Sequence, residues 1–156
     1  MKDIIVEKKN IDKQNNKIVY SVAVPILLLG FIAIGTYAFW SLYPYKTFTA
    51  NVQPFVVIEK ELQAGDTLIF QSDVCRHRVG EVEVHRSLNN DVLISFTNYT
   101  FFQDKIECTQ YDNASLELPD NLPAGEYHLE ITSFMQVNPI RRVSTTFVTE
   151  KFNIIK

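Results

Sequence analysis

The chain has 156 residues, 46% of them hydrophobic, with a formal net charge of −3, 5 glycines and 2 cysteines. The charge divides as +2 over residues 1–18 and −5 over residues 44–156, which argues against nucleic acid as a partner of the larger part, because such binding draws on excess Lys and Arg. The sequence has no G-x-S-x-G element, no Gly-rich phosphate loop and no H-E-x-x-H, so no residue pattern points to an enzyme, and no cofactor is expected.

Residues 1–18, MKDIIVEKKNIDKQNNKI, are polar and weakly patterned, and they read as a short unstructured cytoplasmic tail. Residues 19–43 follow as 25 positions without Asp, Glu, Lys, Arg or His. As a helix this run reaches roughly 37 Å, enough to cross a hydrocarbon core of about 30 Å. Pro25 is tolerated in such a helix, with a mild kink expected. Tyr37, Trp40, Tyr43 and Tyr45 gather at the far end, where amphipathic rings favour the headgroup level. Lys2, Lys8, Lys9, Lys13 and Lys17 precede the run, whereas only Lys46 falls in the 15 residues after it. The positive-inside rule therefore puts the amino terminus in the cytoplasm and residues 44–156 outside a cell (inner or plasma) membrane. The run is too long, and its exit TYAFWSLY too bulky, for a cleaved signal peptide, so an uncleaved single-pass anchor is expected, with the lipid bilayer as the partner of residues 19–43.

The remaining 113 residues suit one extracytoplasmic domain. Their period is that of strands. Residues 47–58, with Pro54 hinting at an edge or bulge, come first; Ala64-Gly65-Asp66 punctuates, and Thr67–Cys75 reads as a second strand. From Gly80, Val82 and Val84 alternate with Glu81, Glu83 and His85, the signature of a half-buried strand. Asn89-Asn90-Asp91 predicts a turn, Val92–Phe102 a strand or strand pair, and Lys105–Gln110 another strand carrying Cys108. After a short segment around Leu116–Leu118, Tyr127, Leu129 and Ile131 alternate with His128, Glu130 and Thr132. Asn138-Pro139 turns the chain into Val143–Ile155, with Val143, Thr145, Phe147 and Thr149 on one face. The expectation is an all-β domain, an antiparallel sandwich of about seven strands, with no helix after the anchor. Both cysteines, Cys75 and Cys108, fall on the oxidising side, which predicts one disulfide.

The stretch LPAGEYHLEI, residues 122–131, resembles the Pro, Gly, Tyr entry to a late strand of immunoglobulin-like and fibronectin-type-III-like sandwiches. The resemblance implies that the ring of Tyr127 packs across one end of the sandwich. A short Lys-rich tail, one span and a small β domain are also similar to the layout of single-pass membrane-anchored proteins of bacteria and their phages.

Several residues invite a functional reading. Tyr99, Phe101 and Phe102 lie in a strand too apolar to be only half buried, which suggests an edge that pairs with a partner, against the alternative of core beneath a loop. Arg76 and Arg78, with Arg86 and the pair Arg141 and Arg142, form either a basic patch for a partner or a solvated surface. Cys75 and His77 are two apart and share a strand face, as a copper or zinc ligand pair would, but a disulfide consumes the thiolates and no ligand set is expected. Asn98 and Asn113 head glycosylation sequons, and Asn113, placed in a turn, is the better acceptor. The resulting expectation is a membrane-anchored, periplasmic or cell-surface binding module for a protein or glycan. The alternatives are a structural subunit of an envelope-spanning or virion-associated assembly and, less favoured, a metal carrier or an enzyme.

Overall fold

The computed structural model describes residues 2–90 and 93–156, with side chains from Tyr20 onward. Two compact units result, Met1–Tyr43 and Pro44–Lys156.

The first unit is one helix, α1 (Lys2–Leu42), which continues through Pro25. Its segment Tyr20–Leu42, 23 residues, is long and apolar enough to cross a membrane. Leu27, Leu29, Phe31 and Ile34 all stand exposed along it. The Thr36 hydroxyl donates to the Ile32 carbonyl at 2.8 Å, so this polar group is satisfied within the helix. The unstructured tail expected for residues 1–18 is corrected here: the helix begins at Lys2. That segment contains neither Gly nor Pro and is rich in Lys and Ile, so once the apolar run has nucleated a helix, extending it upstream costs little.

Among the described residues the second unit holds eleven strands: β1 (Phe48–Ala50), β2 (Val56–Val57), β3 (Glu61–Gln63), β4 (Thr67–Arg76), β5 (Gly80–Asn89), β6 (Leu93–Ser95), β7 (Tyr99–Gln103), β8 (Cys108–Glu117), β9 (Gly125–Asn138), β10 (Arg141–Val148) and β11 (Phe152–Ile155). They form two sheets. In the first, β4 is flanked by β8 along one edge and by β1 and β2 along the other. In the second, β5 pairs with β9 on one side and with β6 and β7 on the other, while the far side of β9 takes β10 and β11.

The count exceeds the seven strands expected because long apolar runs break where the chain changes partner. Residues 47–58 divide around a cis Gln53–Pro54 bond into β1 and β2. The Val92–Phe102 run divides at Phe96–Asn98 into β6 and β7, which pair with different parts of β5. Asp91 and Val92, on which part of that reading and of the predicted turn fell, lie outside the described residues. The strand expected at Lys105–Gln110 starts only at Cys108 and absorbs the Leu116 segment as β8. Residues 143–155 divide into β10 and β11, and β11 runs parallel to β3, so the sheet is mixed rather than wholly antiparallel.

The core lies between the sheets. Val82, Val84 and Leu88 of β5 face Leu68 and Phe70 of β4, with Leu129, Met135 and Phe152 completing the layer. Each such side chain contributes roughly 1.5–3 kcal/mol by leaving water. Tyr127 is also buried, its ring centroid 6.4 Å from that of Phe152 and its hydroxyl donating to the Pro123 carbonyl at 2.9 Å. The turn before β4 uses Gly65 at φ +88°, a conformation that glycine adopts without steric cost.

Along one side the two sheets are stitched together. The Phe55 amide donates to the Val148 carbonyl and the Glu150 amide to the Phe55 carbonyl, both at 2.8 Å, forming a parallel bridge between Phe55 and Thr149. The Thr47 and Thr145 hydroxyls meet at 3.2 Å, and Phe55 stacks between Phe70 and Phe147 at 6.2 and 5.5 Å. The Cys75–Cys108 disulfide lies within the first sheet, joining directly opposed positions of β4 and β8.

Candidate functional site

The opposite side of the sandwich is open. Among the described residues β7 pairs only with β5, and β8 only with β4, so each sheet ends there in an unpaired strand edge. Residues 104–107 cross from one edge to the other. From these edges a cleft of about 250 Å³ runs inward between the sheets, from Tyr99 and Phe101 of β7, Tyr111 of β8 and Arg76 of β4 as far as Phe55 and Phe147 of the stitched side.

Alternation along β7 decides what the cleft presents. Tyr99, Phe101 and Gln103 point toward the other sheet, while Thr100 and Phe102 occupy the outer face. Gln103 is 3% exposed, whereas Tyr99, Phe101 and Phe102 are 45%, 36% and 68% exposed. The Tyr99 and Phe101 rings lie 6.2 Å apart. Strand edges open to solvent are commonly blunted by Lys, Pro or inward charges, and β7, YTFFQ, has none of these. The aromatic residues singled out in the sequence are therefore not core beneath a loop. They form an unguarded edge.

Arg76 guards the β8 side of the cleft. Its guanidinium pairs with Glu107 at 3.4 Å, hydrogen-bonds the Tyr111 hydroxyl and lies 5.8 Å from that ring's centroid.

The arginines that cluster in the sequence disperse in space. Arg78 and Arg141 lie over the Tyr45 ring at 5.0 and 5.8 Å, and Arg78 also donates to the Val137 carbonyl at 3.2 Å. Arg142, one residue on, takes the opposite face of β10. There it pairs with Glu83 and lies 4.6 Å from the Phe134 ring. His85 completes this outer-face group, its Nε2 2.6 Å from the other Glu83 oxygen and its ring 4.7 Å from Phe134. The hydrogen bonds from His85 and Arg142 hold the Glu83 carboxyl below the usual glutamate range. A shallow depression of about 240 Å³ sits over Glu83, Thr100, Phe134 and Arg142. The structure thus brings Tyr99 and Phe101 together, sets Phe102 on the reverse face of the same strand, and leaves Arg141 and Arg142 away from the cleft and apart from each other.

Cys75 is held in the disulfide, and His77 Nε2 lies 2.8 Å from the Thr49 hydroxyl. No group of three or more His, Cys, Asp or Glu able to hold a metal ion occurs among the described residues. Asn113 lies on β8 rather than in a turn, whereas Asn98 is exposed in the break before β7, which reverses their order as acceptors.

Sequence reasoning passed over Tyr111, Glu83 and Phe134 as site residues, and took Arg86 only as part of a basic patch or a solvated surface. For Arg86 a signal existed: it takes the third place in the inward series Val82, Val84, Arg86, Leu88.

Neither a family model nor a curated protein matches this chain. Among solved structures, the sporulation control protein Spo0M from Bacillus subtilis is similar at 9% identity and a TM-score of 0.40, over 70% of this chain and 50% of that one. The chain spans about half the length of that protein, and a likeness this loose assigns no fold family.

Proposed function

We propose that this chain is a single-pass anchored binding module, amino terminus inside, whose outer domain captures an extended segment of a protein partner by strand addition to β7. The observation that carries the reading is the free, unblunted edge of β7, with exposed Tyr99 and Phe101 beside an apolar cleft. Main-chain edges pair with main chain, and side-chain pockets beside them supply selectivity, so this surface suits a polypeptide better than a glycan. An immunoglobulin-like sandwich accords with Tyr127, whose hydroxyl bonds back to Pro123 at the entry of β9 as a tyrosine corner does. The likeness in layout to anchored bacterial and phage proteins accords with the apolar Tyr20–Leu42 segment. Anchoring confines the domain to a thin layer over the bilayer and raises its effective concentration for neighbours there.

The test is position-dependent photocrosslinking in intact membranes. A photoreactive residue at Phe101 or Phe102 is expected to give a discrete protein adduct that is absent when the same group replaces Ile69, on the outer face of β4. Equal adducts from all three positions would sink the edge reading, and recovery of one fixed-stoichiometry complex would favour a structural subunit. Protease added outside spheroplasts is expected to cut residues 44–156; protection there would reverse the orientation.

A further inference from the structure

On β5 one inward position carries a charge. On β5, Val82, Val84 and Leu88 are 0%, 3% and 0% exposed, and Arg86 shares their face, directly paired with Ile131. Its guanidinium carbon lies 4.9 Å from the centroid of Tyr99 and 5.9 Å from that of Phe96. Its Nε is buried without a hydrogen-bond partner, and it forms no ion pair among the described residues. Glu117 lines the same cavity, of about 370 Å³, but does not pair with it.

Arginine cannot shed its proton in a protein, so this site stays cationic. Leaving a charge half buried and unpaired is costly, and ring faces offset only part of that cost. What best satisfies a guanidinium in such a place is a carboxylate taken by its fork of N–H donors.

Position then says where that carboxylate comes from. β7 pairs with β5 up to Val84, and β6 pairs with it from Ser87, so Arg86 lies level with the break between them. A strand laid along the free edge of β7 passes this gap just beyond Tyr99. Arg76, the cation that lines the neighbouring cleft, is already occupied by Glu107.

We infer that Arg86 is the receptor for an Asp or Glu side chain on the strand that β7 captures. The occupant is therefore an extended peptide with alternating apolar residues and one acidic residue at a fixed register. The inference rests on the strand-addition reading and adds its selectivity.

The experiment selects a random nonapeptide display library on the full-length protein in nanodiscs, in parallel with Arg86→Met and Phe101→Asp variants. The wild type is expected to enrich peptides with apolar alternation and an Asp or Glu at one position, favoured about tenfold over Asn or Gln there. Arg86→Met, which replaces an unpaired cation with an apolar side chain and should fold, is expected to keep the alternation and lose the acidic position. Arg86→Lys, which keeps the charge without the fork, is expected to weaken the acidic preference without abolishing it. Alternation with no acidic position in the wild type, or an acidic position that survives in Arg86→Met, overturns the role of Arg86 while leaving the edge reading intact. No enrichment over the Phe101→Asp control overturns both.

Discussion

The two long sides of the outer domain are built from similar residues and end in opposite states. On the stitched side, Phe55 and Phe147 are each 3% exposed and the neighbouring hydroxyls of Thr47 and Thr149 are buried with partners. On the open side, Tyr99, Phe101 and Tyr111 are 45%, 36% and 41% exposed beside two unpaired edges. Aromatic content does not separate them. What differs is whether backbone from one sheet reaches backbone of the other, as Phe55 reaches Val148 and as nothing does between β7 and β8 among the described residues. A seam so closed supports the fold, and an edge left open is available to another chain.

The contrast is sharpest in stability. Phe147→Ala is expected to cost about 3–5 kcal/mol, because it empties the stack against Phe55, whereas Phe101→Ala should cost about 1 kcal/mol or less. Denaturant unfolding of the full chain in micelles measures both; equal losses would mean that the open side is core after all. Next in size is the disulfide. Cys75→Ser together with Cys108→Ser is expected to cost roughly 3 to 4 kcal/mol, from a closed loop spanning 33 positions in the chain-entropy account. Since the bridge fastens β8 only to β4, its loss should loosen β8 in hydrogen exchange while the Phe55–Thr149 seam stays protected. Third is Thr149→Val. The Thr149 hydroxyl accepts the buried Leu129 amide at 3.0 Å, and leaving that donor unsatisfied costs about 1–3 kcal/mol. A loss below the effect of Phe101→Ala would show that the seam's hydrogen bonds do not hold the sheets together.

The closed side was largely legible in the sequence and the open side only in part. Val143, Thr145, Phe147 and Thr149 were assigned to one face by alternation alone, and that face became the seam. The aromatics of β7 stood out because five residues reading YTFFQ exceed what one buried face needs. Alternation cannot tell which edge stays unpaired, since that depends on where a chain leaves one sheet for the other. The breaks at Phe96–Asn98 and Thr149–Lys151 contain no glycine or proline to announce them. The same blindness hid the separation of Arg141 from Arg142, which take opposite faces of β10, and the meeting of Arg78 with Arg141 over Tyr45. Arg86 was legible as a charge at an inward position, yet its lack of a partner became visible only once Glu117 and the two rings were in place.

The smallest expected effect concerns the outer face of β5, where Glu83 pairs across to Thr100 of β7. Its carboxyl is held below the usual glutamate range by His85 first and Arg142 second. In the window between the lowered and the ordinary value the unfolded chain binds more protons than the folded one, so stability rises with pH there. The contribution is complete above the ordinary glutamate pKa and is lost as pH falls through the lowered one. Because the group faces water, the effect is slight and screened by salt. Arg142→Gln is expected to raise the Glu83 pKa part of the way back, read from its side-chain NMR titration, while leaving the Phe55–Thr149 seam protected. An unchanged titration would mean that Arg142 does not hold Glu83 in solution. Loss of protection at the seam would instead show that the two sides of the domain are coupled through β9, and that β7 is not an independent edge.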